Sequence, residues 1–196
     1  MSESSGTLVI GLGNPLMGDD GLGLAALDRL HATWQLPRAV VLHDGGTWGL
    51  NLLHSIEDAE KVLFLDAVRT GREPGTLVEL EGRDLPRTMG IKLSPHQIDL
   101  REVLALLELR GTAPPTMVCL GLEPASVELH TGLSPRVAGR LDEMVEAAAR
   151  RLRAWGHALR RRRHAYSADY RAGAGAGLPT GDPRLRVPDD QLPRIR

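Results

Sequence analysis

The chain has 196 residues, of which 42% are hydrophobic and 25% are charged, so it is long enough for one sizeable core. Its 24 basic and 25 acidic residues leave a net charge of -1, which argues against a nucleic-acid or membrane-surface partner. There is no secretion signal and no apolar run of about 18 residues, so the sequence predicts a cytoplasmic protein without a membrane segment. The single cysteine, Cys119, excludes an internal disulfide framework and thiolate-rich metal sites, which leaves His, Asp and Glu as the ligands of any bound metal.

Aliphatic runs alternate with helical patterns along the chain, which is typical of βαβ units. Strands are predicted at 7–13, 39–45, 61–68, 75–80 and 116–124, and helices at 21–34, 50–59, 95–110 and 134–161. The strand at 75–80 follows a short loop with Gly and Pro, so we expect it to run antiparallel at an edge. The last helix is expected to begin at Ser134, an N-cap followed by Pro135.

These elements predict an α/β fold: a three-layer sandwich with a twisted, mostly parallel five-stranded sheet and helices on both faces. One domain is expected over residues 1–164. Residues 165–196 are rich in Gly, Pro and Arg and poor in apolar side chains, so we expect a mobile tail there.

Acidic side chains follow three of the predicted strands. Asn14, Asp19 and Asp20 lie after the first strand, Asp44 ends the second and Asp66 ends the third. Because the carboxyl ends of parallel strands meet at one sheet edge, these acids converge there, and His96 begins a helix nearby. Converging acids need a compensating cation, proton or hydrogen-bond donor, and two carboxylates with one imidazole form a ligand set that divalent metals accept. Taken singly, each acid could equally cap a turn or helix.

The first loop, "GLGNPLMGDDGLG", also invites a phosphate-binding interpretation. A dinucleotide fingerprint requires Gly-x-Gly-x-x-Gly, but Leu16 stands where the third glycine belongs. Two acids at the start of the helix would also repel a pyrophosphate. The residues therefore favour a cation over a phosphate.

Six motifs occur in order along the chain: "GLGNPLMGDDGLG", "DGGTWG", "LDAV", "PGTL", "SPHQIDLREVL" and "GLEP". In this order and spacing they resemble the hydrogenase maturation endopeptidases, the proteases that complete the large subunit of nickel-iron hydrogenases. The resemblance extends from about residue 8 to 159. It implies a mostly parallel sheet between helices, in agreement with the fold predicted above.

The resemblance also implies roles for individual residues. The family's metal ligands are an acid in the first loop, an Asp after the third strand and a His at the start of a later helix, which here are Asp20, Asp66 and His96. Relatives often carry Glu at the first position, so Asp20 is one methylene shorter. Asp20, Asp66 and Asp44 are the predicted catalytic residues. The positions expected to let the substrate backbone approach are Gly13, Asn14, Asp19, Gly45, Gly46 and Thr47.

By the same resemblance, the partner is the large-subunit precursor of a nickel-iron hydrogenase, from which the family removes a short C-terminal extension after nickel insertion. The metal is then nickel carried by the substrate, with zinc or cadmium taking its place in crystals. A mixed oxygen and nitrogen ligand set suits nickel and zinc alike. Asp20 is either a ligand alone or also the general base, and the protease is expected to be a monomer.

Two other functions compete with this one. Peptidyl-tRNA hydrolase shares "GLGNP" after its first strand, but the stretch "LMGDDGLG" that follows here contains no histidine. A non-enzymatic nickel chaperone could use the same Asp20, Asp66 and His96. Separately, the arginine-rich run at 150–164 is either a solvated helix end or a docking patch for an acidic partner.

Overall fold

The computed structural model describes residues 5–46, 52–82, 85 and 100–162. The strands are β1 (Ser5–Leu12), β2 (Trp34–Gln35), β3 (Val40–Gly46), β4 (Ala59–Ala67), β5 (Leu77–Glu81), β6 (Thr116–Leu122) and β7 (Arg160–Arg161). The α-helices are α1 (Leu22–Thr33), α2 (Leu53–Glu57), α3 (Leu100–Arg110), α4 (Pro135–Ala138) and α5 (Leu141–Ala154). A short 3-10 helix, Gly18–Gly21, precedes α1.

Five strands form the main sheet in the order β3-β1-β4-β6-β5. The first four pair in parallel, and β5 pairs antiparallel with β6 at the edge. The five predicted strands and the antiparallel edge strand are thereby confirmed. The parallel strands are apolar on consecutive positions because helices cover both of their faces.

Alternate side chains of the sheet enter two separate cores. Val9, Leu63 and Leu65 pack with α1 and α5 on one face, which we call the α1 face. Ile10 and Phe64 pack with α2 and α3 on the other, which we call the α3 face. Cys119 is fully buried in this second core, as expected of a small apolar side chain. The predicted three-layer α/β sandwich is therefore confirmed.

The prediction of one helix over 134–161 is wrong in its length. Ser134 does cap the start, since its Oγ accepts the Val137 N–H at 3.4 Å, but α4 ends after one turn and α5 follows separately. At the end of α5, Gly156 takes a φ of 94° and donates to Arg153, and His157 donates to the Leu152 carbonyl. This pattern of hydrogen bonds closes a helix around a left-handed glycine.

Arginines of the run at 150–164 contact other parts of the chain. The guanidinium groups of Arg153 and Arg161 lie 4.4 and 5.6 Å from the ring centroid of Trp34. Arg151 bonds to Glu79 and Glu81 of the edge strand. Arg151 thus joins α5 to the edge strand of the main sheet, while Arg153 of α5 and Arg161 of β7 both contact Trp34 of β2, the strand with which β7 pairs.

Among the described residues, no helix combines the length and the apolar character that a membrane crossing requires. The predicted tail at 165–196 lies outside the described residues.

Candidate active site

The loop between β1 and α1 is folded tightly over the carboxyl edge of the sheet. Gly13 has a φ of 112°, and a Cβ at this position would overlap the backbone carbonyl of Asp20. The Gly13 N–H donates to the Gly46 carbonyl at 2.9 Å, which joins this loop to the end of β3. Only glycine fits this close approach, and its effect is to bring Asp20 back over the strand end.

Asp20 is buried, with 8% of its surface exposed, and its carboxylate points into the same loop. The Asn14 N–H donates to Asp20 Oδ2 at 2.8 Å, while the Asn14 side chain accepts the Leu16 N–H at 3.0 Å. Burial raises the pKa of Asp20, opposed by the Asn14 hydrogen bond and by the positive charge of Arg69. Asn14 therefore positions the Asp20 carboxylate.

Asp66 lies at the end of β4, on the α3 face of the sheet. It is buried, and its Oδ1 accepts the N–H of Ala67 at 2.8 Å. Burial, together with the negative charge of Asp20, raises the pKa of Asp66 to about 8. Burial raises the pKa of the Cys119 thiol, and the negative charge of Asp66 adds to this increase. Asp20 and Asp66 therefore form a buried carboxylate pair that gains stability from a proton or a cation.

A cation that the sequence did not single out stands beside this pair. Arg69 is exposed, three residues beyond Asp66, and among the described residues no acid forms an ion pair with it. Its loop is fixed by Glu123, whose carboxylate accepts from the Thr70 N–H and hydroxyl at 2.7 Å each and from the Gly71 N–H at 3.2 Å. Burial alone would raise the pKa of Glu123, but these hydrogen bonds lower it. The position of Arg69 directly after "LDAV" was the sequence signal that could have indicated this residue.

Asp19 directs its carboxylate away from the pair. Its Oδ2 accepts the N–H groups of Ala125 and Ser126 at 2.8 and 3.1 Å and the Ser134 hydroxyl at 2.9 Å, and its Oδ1 accepts the Ser134 N–H at 2.7 Å. Only 1% of its surface is exposed. In the structure, Asp19 holds the loop after β6 against the first loop, and its predicted part in substrate approach stays a prediction.

Asp44 lies at the same edge but on the α1 face, because it shares the alternation of Val40 and Leu42 in β3. Although Asp44 is exposed, the surrounding protein raises its pKa, opposed by the Gly46 N–H, which donates to Oδ1 at 3.0 Å, and by His43. The charge of Asp44 acts on Asp28 of α1: burial and, after it, this charge raise the pKa of Asp28 to about 6. The structure thus brings Asp20 and Asp66 together, and pairs Asp44 with Asp28, an acid that the sequence did not indicate.

The remaining positions predicted for the site are Gly45, at the end of β3, and two residues outside the described part of the chain. Gly45 is buried, and a Cβ there would lie 2.6 Å from Ile10 Cγ2, so its lack of a side chain serves packing under β1. Thr47 and His96 lie outside the described residues. Within the described part of the chain, no three His, Cys, Asp or Glu side chains converge as a metal site. Asp20 and Asp66 lie near one another, and the assignment of Asp20, Asp66 and His96 as metal ligands stays a prediction.

The fold and the carboxylate pair define an α/β protein with an acidic centre at the carboxyl edge of a parallel sheet. Residues 25–151 match the family model described as hydrogenase maturation protease. HupD, a hydrogenase expression/formation protein of Rhodobacter capsulatus, is 44% identical over 151 residues, which cover 76% of this chain and 72% of HupD. The hydrogenase 2 maturation protease of Escherichia coli is 33% identical over 147 residues, 74% of this chain and 90% of that protein.

A solved structure agrees with these matches. The Escherichia coli hydrogenase maturating endopeptidase HybD superposes with a TM-score of 0.74 at 33% identity, over 80% of this chain and 97% of HybD. The chain therefore belongs to the hydrogenase maturation protease family and is a peptidase. The same matches favour this activity over peptidyl-tRNA hydrolysis and over a non-enzymatic chaperone.

Proposed function

We propose that this protease removes a short C-terminal extension from the nickel-loaded large-subunit precursor of a nickel-iron hydrogenase. In this proposal Asp20, Asp66 and His96 bind the nickel that the precursor carries. The observation that supports it best is the carboxylate pair, because two acids buried beside one another at a sheet edge repel each other until one takes up a proton or a cation binds both. Metal-bearing substrate supplies that partner only when maturation has reached the correct stage.

The raised pKa of Asp66, about 8, gives this recognition a chemical basis. At neutral pH and without metal, this raised pKa favours the protonated form of Asp66, which relieves the repulsion between its carboxyl group and that of Asp20. A divalent cation displaces that proton and is bound by both carboxylates. A precursor without nickel has no cation to offer, so it would not be held for cleavage.

The scissile carbonyl would then lie beside the nickel, where it is polarised, and Asp20 either serves as ligand only or also accepts a proton from the attacking water. Arg69, an exposed cation fixed by the Glu123 loop, would help to keep Asp20 ionised. Asp44 would add negative charge from the α1 face, beside the glycines at the end of β3. A cytoplasmic location and a monomeric state are also part of the proposal and rest on the sequence.

Incubation with a nickel-loaded large-subunit precursor tests the proposal. The wild type is expected to release one defined C-terminal peptide, detected by mass spectrometry, and to leave the nickel-free precursor intact. Asp20→Asn and His96→Ala are expected to abolish release while the thermal midpoint is retained. Asp142→Asn is the matched control and should cleave normally. Asp142 is an exposed acid on another part of the surface, where its Oδ1 lies 2.7 Å from Arg29 Nε.

Near wild-type cleavage by both site variants would contradict the ligand assignment. Nickel binding without any cleavage by the wild type would instead favour the chaperone.

A further inference from the structure

Two exposed leucines lie together beside the candidate active site. Within the described residues, the large hydrophobic side chains that are exposed are Leu16 (55%), Leu109 (85%) and Leu129 (82%). Leu16 belongs to the loop that carries Asp20, and Leu129 belongs to the loop after β6. Exposed leucines are ordinary when scattered, but two at the rim of one site call for an apolar partner.

The backbone holds these two loops side by side. The His130 N–H donates to the Leu16 carbonyl at 3.0 Å, and the Gly18 N–H donates to the His130 carbonyl at 2.6 Å. Met17 and His130 thereby form a parallel bridge. Leu129 immediately precedes His130, so the bridge sets it alongside Leu16.

The buried side chain of Asp19 fastens the same two loops from beneath. Its hydrogen bonds to Ala125, Ser126 and Ser134 cross from the first loop to the second, and the Asp19 N–H donates to the Ser126 carbonyl at 3.0 Å. A surface that is ordered before binding loses little conformational entropy when a partner docks on it. The leucines are therefore presented on a fixed platform.

We propose that Leu16 and Leu129 form a docking surface for an apolar segment of the hydrogenase large-subunit precursor, next to the bond that is cut. This inference rests on the proposed function. The occupant follows from position, because Leu16 lies four residues before Asp20 on the same tight loop, so a chain that reaches the carboxylate pair passes this platform. Exposed Glu128 and His130 give the apolar centre a polar rim, the usual arrangement of a protein-binding surface.

The test compares a Leu16→Ser, Leu129→Ser double variant with the wild type. Leu109→Ser is the matched control. Leu109 is about as exposed as Leu129, and it lies near the end of α3, which leads into the start of β6 and not to the carboxyl edge of the sheet. Precursor binding is measured by biolayer interferometry, and cleavage is measured as kcat and KM on nickel-loaded precursor. Loss of two apolar contacts is expected to weaken binding and raise KM by about tenfold or more, with kcat and the thermal midpoint unchanged. The Leu109 control is expected to match the wild type.

The two readouts separate the inference from the function on which it rests. Wild-type cleavage with an unchanged KM in the double variant overturns the docking surface alone. A wild type that binds the precursor without cutting it overturns the proposed function. In that case weaker precursor binding by the double variant than by the wild type supports the docking surface, and equal binding overturns it. If sedimentation shows that the leucines hold a second copy of this chain, and KM does not change in the double variant, the docking surface is overturned as well.

Discussion

Asp19 and Asp20 are consecutive residues of one 3-10 helix, yet their carboxylates have different surroundings. Among the described residues, Asp19 accepts four hydrogen bonds, from residues 125, 126 and 134, and Asp20 accepts one, from the Asn14 N–H, near Asp66 and Arg69. The first carboxylate is satisfied within the fold. Toward the described part of the chain, the second has acceptor capacity to spare, which the proposed metal-bearing substrate would use.

The different surroundings predict opposite results for two neighbouring substitutions. Asp19→Asn replaces an acceptor oxygen by an NH₂ group among backbone donors, so the free energy of unfolding should fall by about 2–4 kcal/mol. Asp20→Asn keeps an oxygen for the Asn14 N–H, so stability should fall by no more than about 1 kcal/mol, while precursor cleavage is lost. Urea unfolding and mass spectrometry of the precursor measure the two effects.

Ser134→Ala serves as a control for the Asp19 result, because it removes one of the four hydrogen bonds and the cap of α4. It should cost less than Asp19→Asn and leave cleavage measurable. A stable Asp19→Asn variant that fails to cleave would instead give Asp19 a direct part in the reaction.

The raised pKa of Asp66 predicts a stability that depends on pH in the metal-free protein. A carboxyl whose pKa is about 8 in the folded state and near 4 in the unfolded chain stabilises the fold fully at low pH, and this contribution is lost as pH rises through 8. Asp66→Asn cannot ionise and keeps an acceptor for the Ala67 N–H. Its stability advantage over the wild type should therefore grow between pH 5 and pH 8, by at least about 1 kcal/mol.

Urea unfolding of both proteins with EDTA at the two pH values measures this difference. The same variant should fail to cleave the precursor, so that a gain in stability accompanies a loss of function. An advantage that stays constant from pH 5 to pH 8 would mean that Asp66 is ionised in the folded protein.

Much of the fold could be predicted because the strands are apolar on consecutive residues, as in β4, where burial is continuous from Val62 to Ala67. The end of α5 was predictable in principle from Gly156, but the helical pattern of the arginines beyond it outweighed that signal. The positions of the acids at the strand ends followed from the parallel topology alone.

Which of those acids face one another could not be obtained in that way. Asp44 and Asp66 share an edge but lie on different faces, because the register of the strands aligns Asp44 with Leu65 rather than with Asp66. The partners of Asp19 lie more than 100 residues away in the sequence, and no local pattern indicates them. Long-range contacts of this kind decide whether an acid is structural or available to a substrate.

The positive charge of Arg69 predicts a pH effect on catalysis. Because Arg69 lowers the pKa of Asp20, Arg69→Gln should raise it further, and the acidic limb of kcat/KM should move to higher pH. The loss of activity should thus be larger at pH 6 than at pH 8. Arg69→Lys keeps the charge and should retain most of the wild-type profile, and added salt should reduce the difference between Gln and wild type. A uniform loss across the pH range would assign Arg69 to substrate binding instead.

Asp28 and Asp44 predict a second pH effect, separable from the first because it arises on the α1 face. Burial and the Asp44 charge raise the pKa of Asp28 to about 6, so the stability that its neutral form provides is present below pH 4 and lost as pH rises through 6. Asp28→Asn should match the wild type at pH 4 and exceed it by about 1–2 kcal/mol at pH 8, after allowance for partial solvent exposure. Urea unfolding at the two pH values measures the gain.

The interaction between the two carboxylates is tested in the Asp44→Asn background. Asp44→Asn should lower the pKa of Asp28, so adding Asp28→Asn to that variant should bring a smaller gain in the free energy of unfolding at pH 8. Equal gains in both backgrounds would show that the two carboxylates do not interact.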